Sequence, residues 1–112
     1  MSKAARALTL AALVCVLIVG VAWAETPTFK LTIKNHRFEP AQLEVPAGQM
    51  IKLVIHNADP TPEEFESHEL NREKVIAGGS TVTVYLSAMD PGTYPFYGEF
   101  HEDTAKGQII AK

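Results

Sequence analysis

The chain has 112 residues, with 10 Lys plus Arg against 13 Asp plus Glu and a formal net charge of −3. That balance argues against a nucleic-acid partner, which would be met by a basic patch, and favours cationic partners, metal ions among them. The one cysteine, Cys15, leaves no pair for a disulfide.

The first predicted element is an export signal over residues 1–24. Lys3 and Arg6 form a short positive region, Ala7 to Val21 is an uncharged apolar run, and Ala22-Trp23-Ala24 offers small residues at a cleavage site. The run has 15 residues, short of the ~20 needed to span a bilayer, so no membrane span is expected after cleavage. Val14 before Cys15 is not the small residue that a lipidation signal wants. The expected mature domain is 25–112, a single unit of 88 residues outside the cytoplasm. Loss of Lys3 and Arg6 leaves 8 basic against 13 acidic residues, a net charge of about −5.

Beyond the signal, period-two alternation dominates. Phe29, Leu31 and Ile33 alternate with Thr28, Lys30, Thr32 and Lys34. The same pattern recurs at Leu43 and Val45, at Ile51, Leu53 and Ile55, and at Val82, Val84 and Leu86. Glu64, Glu66 and His68 alternate along a further predicted strand. Phe96 and Ile109-Ile110 mark the closing strands. Turns are expected at Asn35 to Pro40, Pro46-Ala47-Gly48, Asp59-Pro60-Thr61-Pro62, Gly78-Gly79 and Asp90-Pro91-Gly92. No long amphipathic helix is present. About seven short strands with even punctuation predict an all-β sandwich or barrel.

Three segments, Phe38-Glu39-Pro40, Leu43 to Gly48 and Ile51 to Asn57, resemble the opening half of a cupredoxin. Pro91 to Tyr97, His101 and Gly107 to Ile110 resemble its closing half. The middle segment, Thr61 to Ser67, is similar to the EfeO-type cupredoxin-like domain family, which accompanies bacterial iron permeases. The resemblance implies a Greek-key β-sandwich and a periplasmic protein of an iron-uptake system. The partners it implies are a periplasmic iron-binding protein and an inner-membrane ferric permease.

A blue copper site needs two His and one Cys, with a weak axial ligand. Here Gly98 or Glu99 stands where the Cys is expected, Glu63 with Glu64 beside it stands where the first His is expected, and only His101 matches. A type 1 copper electron carrier is therefore not expected. Carboxylate with imidazole suits an iron or copper ion, and also Mn or Zn. His36, Glu63, Glu64, Glu99 and His101 are the candidate ligands, expected to converge at the loop end of the sandwich. Copper-site register favours Glu63, and the iron-uptake pattern of Glu before an aromatic favours Glu64. His68 is a lesser candidate. His56 is expected to face solvent, and Met50 and Met89 to pack in or beside the core.

Two functions follow. One is metal binding in iron uptake, with assistance to Fe(II) oxidation as an enzymatic variant. The other is a metal-free docking module, in which Glu63, Glu64, Glu66 and Glu69 are a solvated acidic edge. Hydrolytic chemistry is disfavoured, because no Gly-x-Ser-x-Gly or His-Glu-x-x-His motif occurs.

Overall fold

The computed structural model describes residues 25–112. The expected signal, 1–24, lies outside the described residues. No helix among those described is long and apolar enough to cross a membrane.

Among the described residues, nine strands form two sheets. They are β1 (Thr28–Lys34), β2 (Arg37–Glu39), β3 (Gln42–Val45), β4 (Ile51–Asn57), β5 (Glu63–Ser67), β6 (Arg72–Ile76), β7 (Thr81–Leu86), β8 (Gly92–Tyr97) and β9 (Lys106–Ala111). A single 3-10 turn, Glu99–His101, follows β8. The first sheet runs β2-β1-β4-β7 and the second β3-β9-β8-β5-β6. Both are mixed, since β1 runs parallel to β4 and β3 parallel to β9. The all-β sandwich expected from the alternation is the architecture observed.

Alternation sets the core. On β4, Ile51, Leu53, Ile55 and Asn57 face inward, and on β5, Glu63, Phe65 and Ser67 do. Leu31 and Ile33 of β1, Leu86 of β7, Phe96 of β8 and Ile109 of β9 complete the layer between the sheets. Full burial of each such side chain contributes about 1.5–3 kcal/mol. Phe38 of β2 bridges the layers, edge-on to Phe96 with ring centroids 4.9 Å apart.

Two local expectations need correction, and one strand was not expected. Arg37–Glu39 is a strand rather than part of a turn, pairing with β1 from Thr32 to Lys34. Arg72–Ile76 is an edge strand hidden in the sequence by Arg72, Glu73 and Lys74, charges of the kind that protect sheet edges. Met50 is 52% exposed, whereas Met89 is buried, because Met50 sits in the turn just before β4 and points away from the core.

Candidate metal centre

The centre is built from a hairpin tip, a strand start and a turn. Lys34 pairs with Arg37, so Asn35 and His36 form a two-residue hairpin connection. Both have positive φ, 52° and 57°, the pattern of the tight turn that suits the twist of paired strands. Glycine is the usual occupant of the second position, and a histidine there costs roughly 1–2 kcal/mol in backbone conformation.

Asp59 offsets that cost. Its Oδ1 accepts from the Asn35 N–H at 2.8 Å, and its Oδ2 from the His36 N–H at 2.9 Å. The His36 N–H first, and that of Asn35, hold the Asp59 carboxyl below its ordinary range against the opposing effect of burial. Asn57 fixes Asp59 in turn, its Oδ1 accepting from the Asp59 N–H at 3.0 Å. Fully buried Asn57 also donates to the carbonyls of Thr61 and Ile76. Thr104 donates its hydroxyl to the His36 carbonyl at 2.6 Å, tying the hairpin to the loop before β9.

Glu63 opens β5 on its inward face and is 1% exposed. Its Oε1 accepts from the N–H groups of Glu64 at 3.0 Å and Phe100 at 3.3 Å. Its Oε2 accepts from His101 Nδ1 at 2.5 Å. The His101 ring stacks on that of His36, with centroids 3.5 Å apart and planes 15° apart. One donor atom from each of His36, Glu63 and His101 lies within 4.8 Å of the others. His36 Nδ1 is buried with no hydrogen-bond partner.

Gly98 makes room for this arrangement. A Cβ there would stand 2.5 Å from Glu63 Oε1 and 2.9 Å from the Ala105 Cβ. Gly98, one of the two positions at which the thiolate of a blue copper protein is expected, is thus bare backbone, and the Glu63 carboxylate fills the space beside it.

The five candidate ligands do not share one group. His36, Glu63 and His101 are brought together, whereas Glu64 and Glu99 fall in a second group with Glu66 and Glu73. Strand geometry is the reason: consecutive residues of β5 point to opposite faces, so Glu63 and Glu64 cannot serve the same point. Of the acidic segment read alternatively as solvated, Glu63 and Glu64 are buried. His56 is exposed and bonded to the Thr81 hydroxyl, and exposed His68 meets the Tyr97 hydroxyl at 3.0 Å. Sequence reasoning missed Asn57 and Asp59. Asp59 read as turn punctuation, and its carboxylate acts on a hairpin 23 residues away.

Two imidazoles and a carboxylate suit Fe(II), Zn(II) or Cu(II). The donor set fits such an ion: His36 Nδ1 is buried without a hydrogen bond, 3.6 Å from Asp59 Oδ2, and Glu63 is already fixed by backbone donors. Beside the two rings lies a surface depression of about 480 Å³, bordered also by Glu99, Phe100, Glu102 and Asp103. Its acidic rim draws cations toward the histidines.

Fold and site together describe a cupredoxin-type sandwich whose candidate centre joins two histidines and a carboxylate and has no thiolate. The model of the cupredoxin-like domain family matches residues 6–111, and the chain belongs to that family. The protein RP394 of Rickettsia prowazekii (strain Madrid E) is 51% identical over 81 residues, which are 72% of this chain and 65% of that protein. The chain thus matches somewhat under two thirds of that relative's length.

Among solved structures, the blue copper protein auracyanin A of Chloroflexus aurantiacus superposes with a TM-score of 0.66 at 17% identity, covering 76% of this chain and 98% of that one. The metal-binding domain of the Cu(I)-exporting P-type ATPase CopA of Streptococcus pneumoniae D39 gives 0.64 at 17% identity, over 76% and 84%. A purple cupredoxin from Nitrosopumilus maritimus gives 0.57 at 19%, over 74% and 98%. At these identities the likeness establishes the cupredoxin fold.

Proposed function

We propose that the protein binds a transition-metal ion through His36, Glu63 and His101 and handles it outside the cytoplasm in an iron-uptake system. Iron is the intended cargo, delivered to a periplasmic iron-binding protein or a ferric permease. The observation that carries this reading is the meeting of a buried carboxylate and two stacked imidazoles at one end of the sandwich. The absence of a cysteine from 25–112 removes the soft ligand on which a blue copper carrier depends. The ligand set favours binding over Fe(II) oxidation, which needs an electron acceptor that no residue of the site supplies. Resemblance to the iron-uptake branch and the signal-like 1–24 segment support the compartment and the partners.

Calorimetric titration with Fe(II), Fe(III), Cu(II) and Zn(II) tests the reading, alongside Glu63→Gln and His101→Ala. One equivalent bound by the native chain and lost in His101→Ala is the expected result. Equal binding by all forms would sink it.

One observation favours a second reading. Glu63 and His101 satisfy each other without an ion, with both Glu63 oxygens hydrogen-bonded. A metal-free docking module would use this pair as a structural clamp. Absence of binding for all four metals would select that function.

A further inference from the structure

The outer face of the first sheet carries charge of the opposite sign to the rest of the molecule. Alternation turns Leu31, Ile33, Leu53 and Ile55 inward, so Lys30 and Lys34 of β1 and Lys52 of β4 stand on the outside. Arg37 of β2 is directly opposite Lys34 and shares that face. Strands β1, β4 and β7 contain no Asp or Glu, and the one acid of the sheet is Glu39. The overall acidic balance conceals this segregation. Of the 8 basic and 13 acidic residues in 25–112, four basic and one acidic belong to this sheet, which leaves four basic against twelve acidic elsewhere.

These cations are not neutralised within the fold. Among the described residues, the one Lys or Arg that forms an ion pair is Lys112, with Glu44. Lys34 and Arg37 are exposed and directly opposed in the β1–β2 register, a placement in which like charges destabilise a sheet. An anionic surface laid against the face relieves that repulsion. Its extent says which surface. Lys30 and Lys34 are four residues apart on one strand, about 13 Å, too far to converge on a single anion. Four strands about 4.8 Å apart and seven residues long cover on the order of 400 Å², about half of the ~800 Å² that each partner of a stable protein pair buries. Tyr85, opposite Lys52 on β7 and 53% exposed, is a residue type that sits at the headgroup level of membranes.

We propose that the outer face of the first sheet docks the protein on an anionic lipid bilayer, with Lys30, Lys34, Arg37 and Lys52 meeting the lipid phosphates. A bilayer is a flat, extended anion that asks for spread charge rather than a pocket. The acid-bearing strands β5 and β6 belong to the second sheet, packed about 10 Å behind the first. That is a Debye length at about 0.1 M salt, so screening removes most of their repulsion. Four cations without a lipid chain give reversible, salt-sensitive docking. The inference does not depend on the histidine centre being occupied.

Vesicle co-sedimentation supplies the test. Residues 25–112 hold both sheets and the core between them, and they are used without the apolar run 7–21, which would itself enter lipid. Binding to vesicles containing phosphatidylglycerol at ~0.05 M salt, absent with pure phosphatidylcholine and lost by ~0.5 M salt, is expected. Lys30→Gln with Lys52→Gln should weaken it by at least about tenfold, at about fivefold per cation. Lys34→Gln with Arg37→Gln should do the same, which keeps the test decisive if the first pair misfolds. Lys74→Gln with Lys106→Gln removes the same net charge from the second sheet and should change binding by no more than about twofold. No binding to the anionic vesicles, equal binding to both lipids, binding that survives high salt, or weakening by the face pairs no greater than by the Lys74 and Lys106 pair overturns the proposal. Preference for poly-glutamate over the vesicles also overturns it and gives the face to an acidic protein. Low-salt self-association that Lys30→Gln with Lys52→Gln abolishes overturns it in favour of a second copy of the chain.

Discussion

His36 and His101 stack face to face, 3.5 Å between ring centroids, although one sits on a hairpin of the first sheet and the other in the turn after β8 of the second. Their contact is held from behind. Asp59 grips the backbone of the His36 tip, and Glu63 grips the His101 ring. The arrangement gives His36 a backbone conformation that glycine would adopt more easily.

Replacing His36 by glycine should therefore separate stability from binding. His36→Gly is expected to raise the unfolding free energy by about 0.5–1 kcal/mol, since the left-handed backbone then suits its residue, partly offset by loss of the ring stack. Its affinity for Zn(II) or Cu(II) should fall by at least about tenfold, as one of three ligands is gone. Chemical denaturation and metal titration on the same samples check both halves. A variant that binds metal as tightly as the parent would remove His36 from the centre.

Gly98→Ala should disturb the centre without touching a ligand. The new methyl group meets Glu63 Oε1 and the Ala105 Cβ, an overpacking that costs about 1–3 kcal/mol. Glu63 must shift, and metal affinity should fall with it. A lowered denaturation midpoint together with weaker binding is the expected pair of results. An unchanged midpoint would mean that the backbone at position 98 gives way easily.

Asp59→Ala should destabilise the fold by roughly 1–3 kcal/mol near neutral pH, because two part-buried N–H groups lose a charged acceptor. The folded-state carboxyl is held below its unfolded value. Its contribution is thus fully present above the ordinary carboxylate range and disappears as pH falls through the lowered folded value. Denaturation curves of the native chain and Asp59→Ala should converge in acid and stand furthest apart above pH ~5. A gap that stays constant to pH ~2 would show that the charge is not what stabilises the hairpin.

Glu64→Gln has the opposite sign. With its carboxyl raised to about 8, the folded chain must retain a proton that the unfolded chain releases. The cost is absent below the ordinary carboxylate value, grows as pH rises toward 8, and is constant above it. The variant should match the native chain near pH 4 and exceed it by roughly 1–3 kcal/mol near pH 8, both measured with chelator present. A variant less stable than the native chain at pH 8 would mean that Glu64 has a partner in the folded state.

What the sequence made legible was whatever repeats at period two. Leu31, Ile33, Leu53, Ile55 and Val84 declared their strands because they fall at period two, with Val54 the one apolar break between Leu53 and Ile55, and all five are buried. Edge strand β6 stayed hidden, because Arg72, Glu73 and Lys74 carry the charges an edge needs and so imitate a loop. Of the site, His101 and Glu63 were legible through register with a known ligand pattern. The separation of Glu63 from Glu64 follows from strand alternation, but only once the segment is known to be a strand from its first residue. Asp59 was not legible, since a carboxylate that acts across two loops leaves no local pattern.

The two sheets share no hydrogen-bonded strand, yet the metal centre takes His36 from one and Glu63 and His101 from the other. Strand β3 gains its sheet partner only when β9, the last in chain order, has been inserted. Neither half of the sandwich alone holds the three ligands. On the proposed function, an ion would therefore be recognised only by the finished molecule, after the sheets have closed, from among the ions present where folding ends.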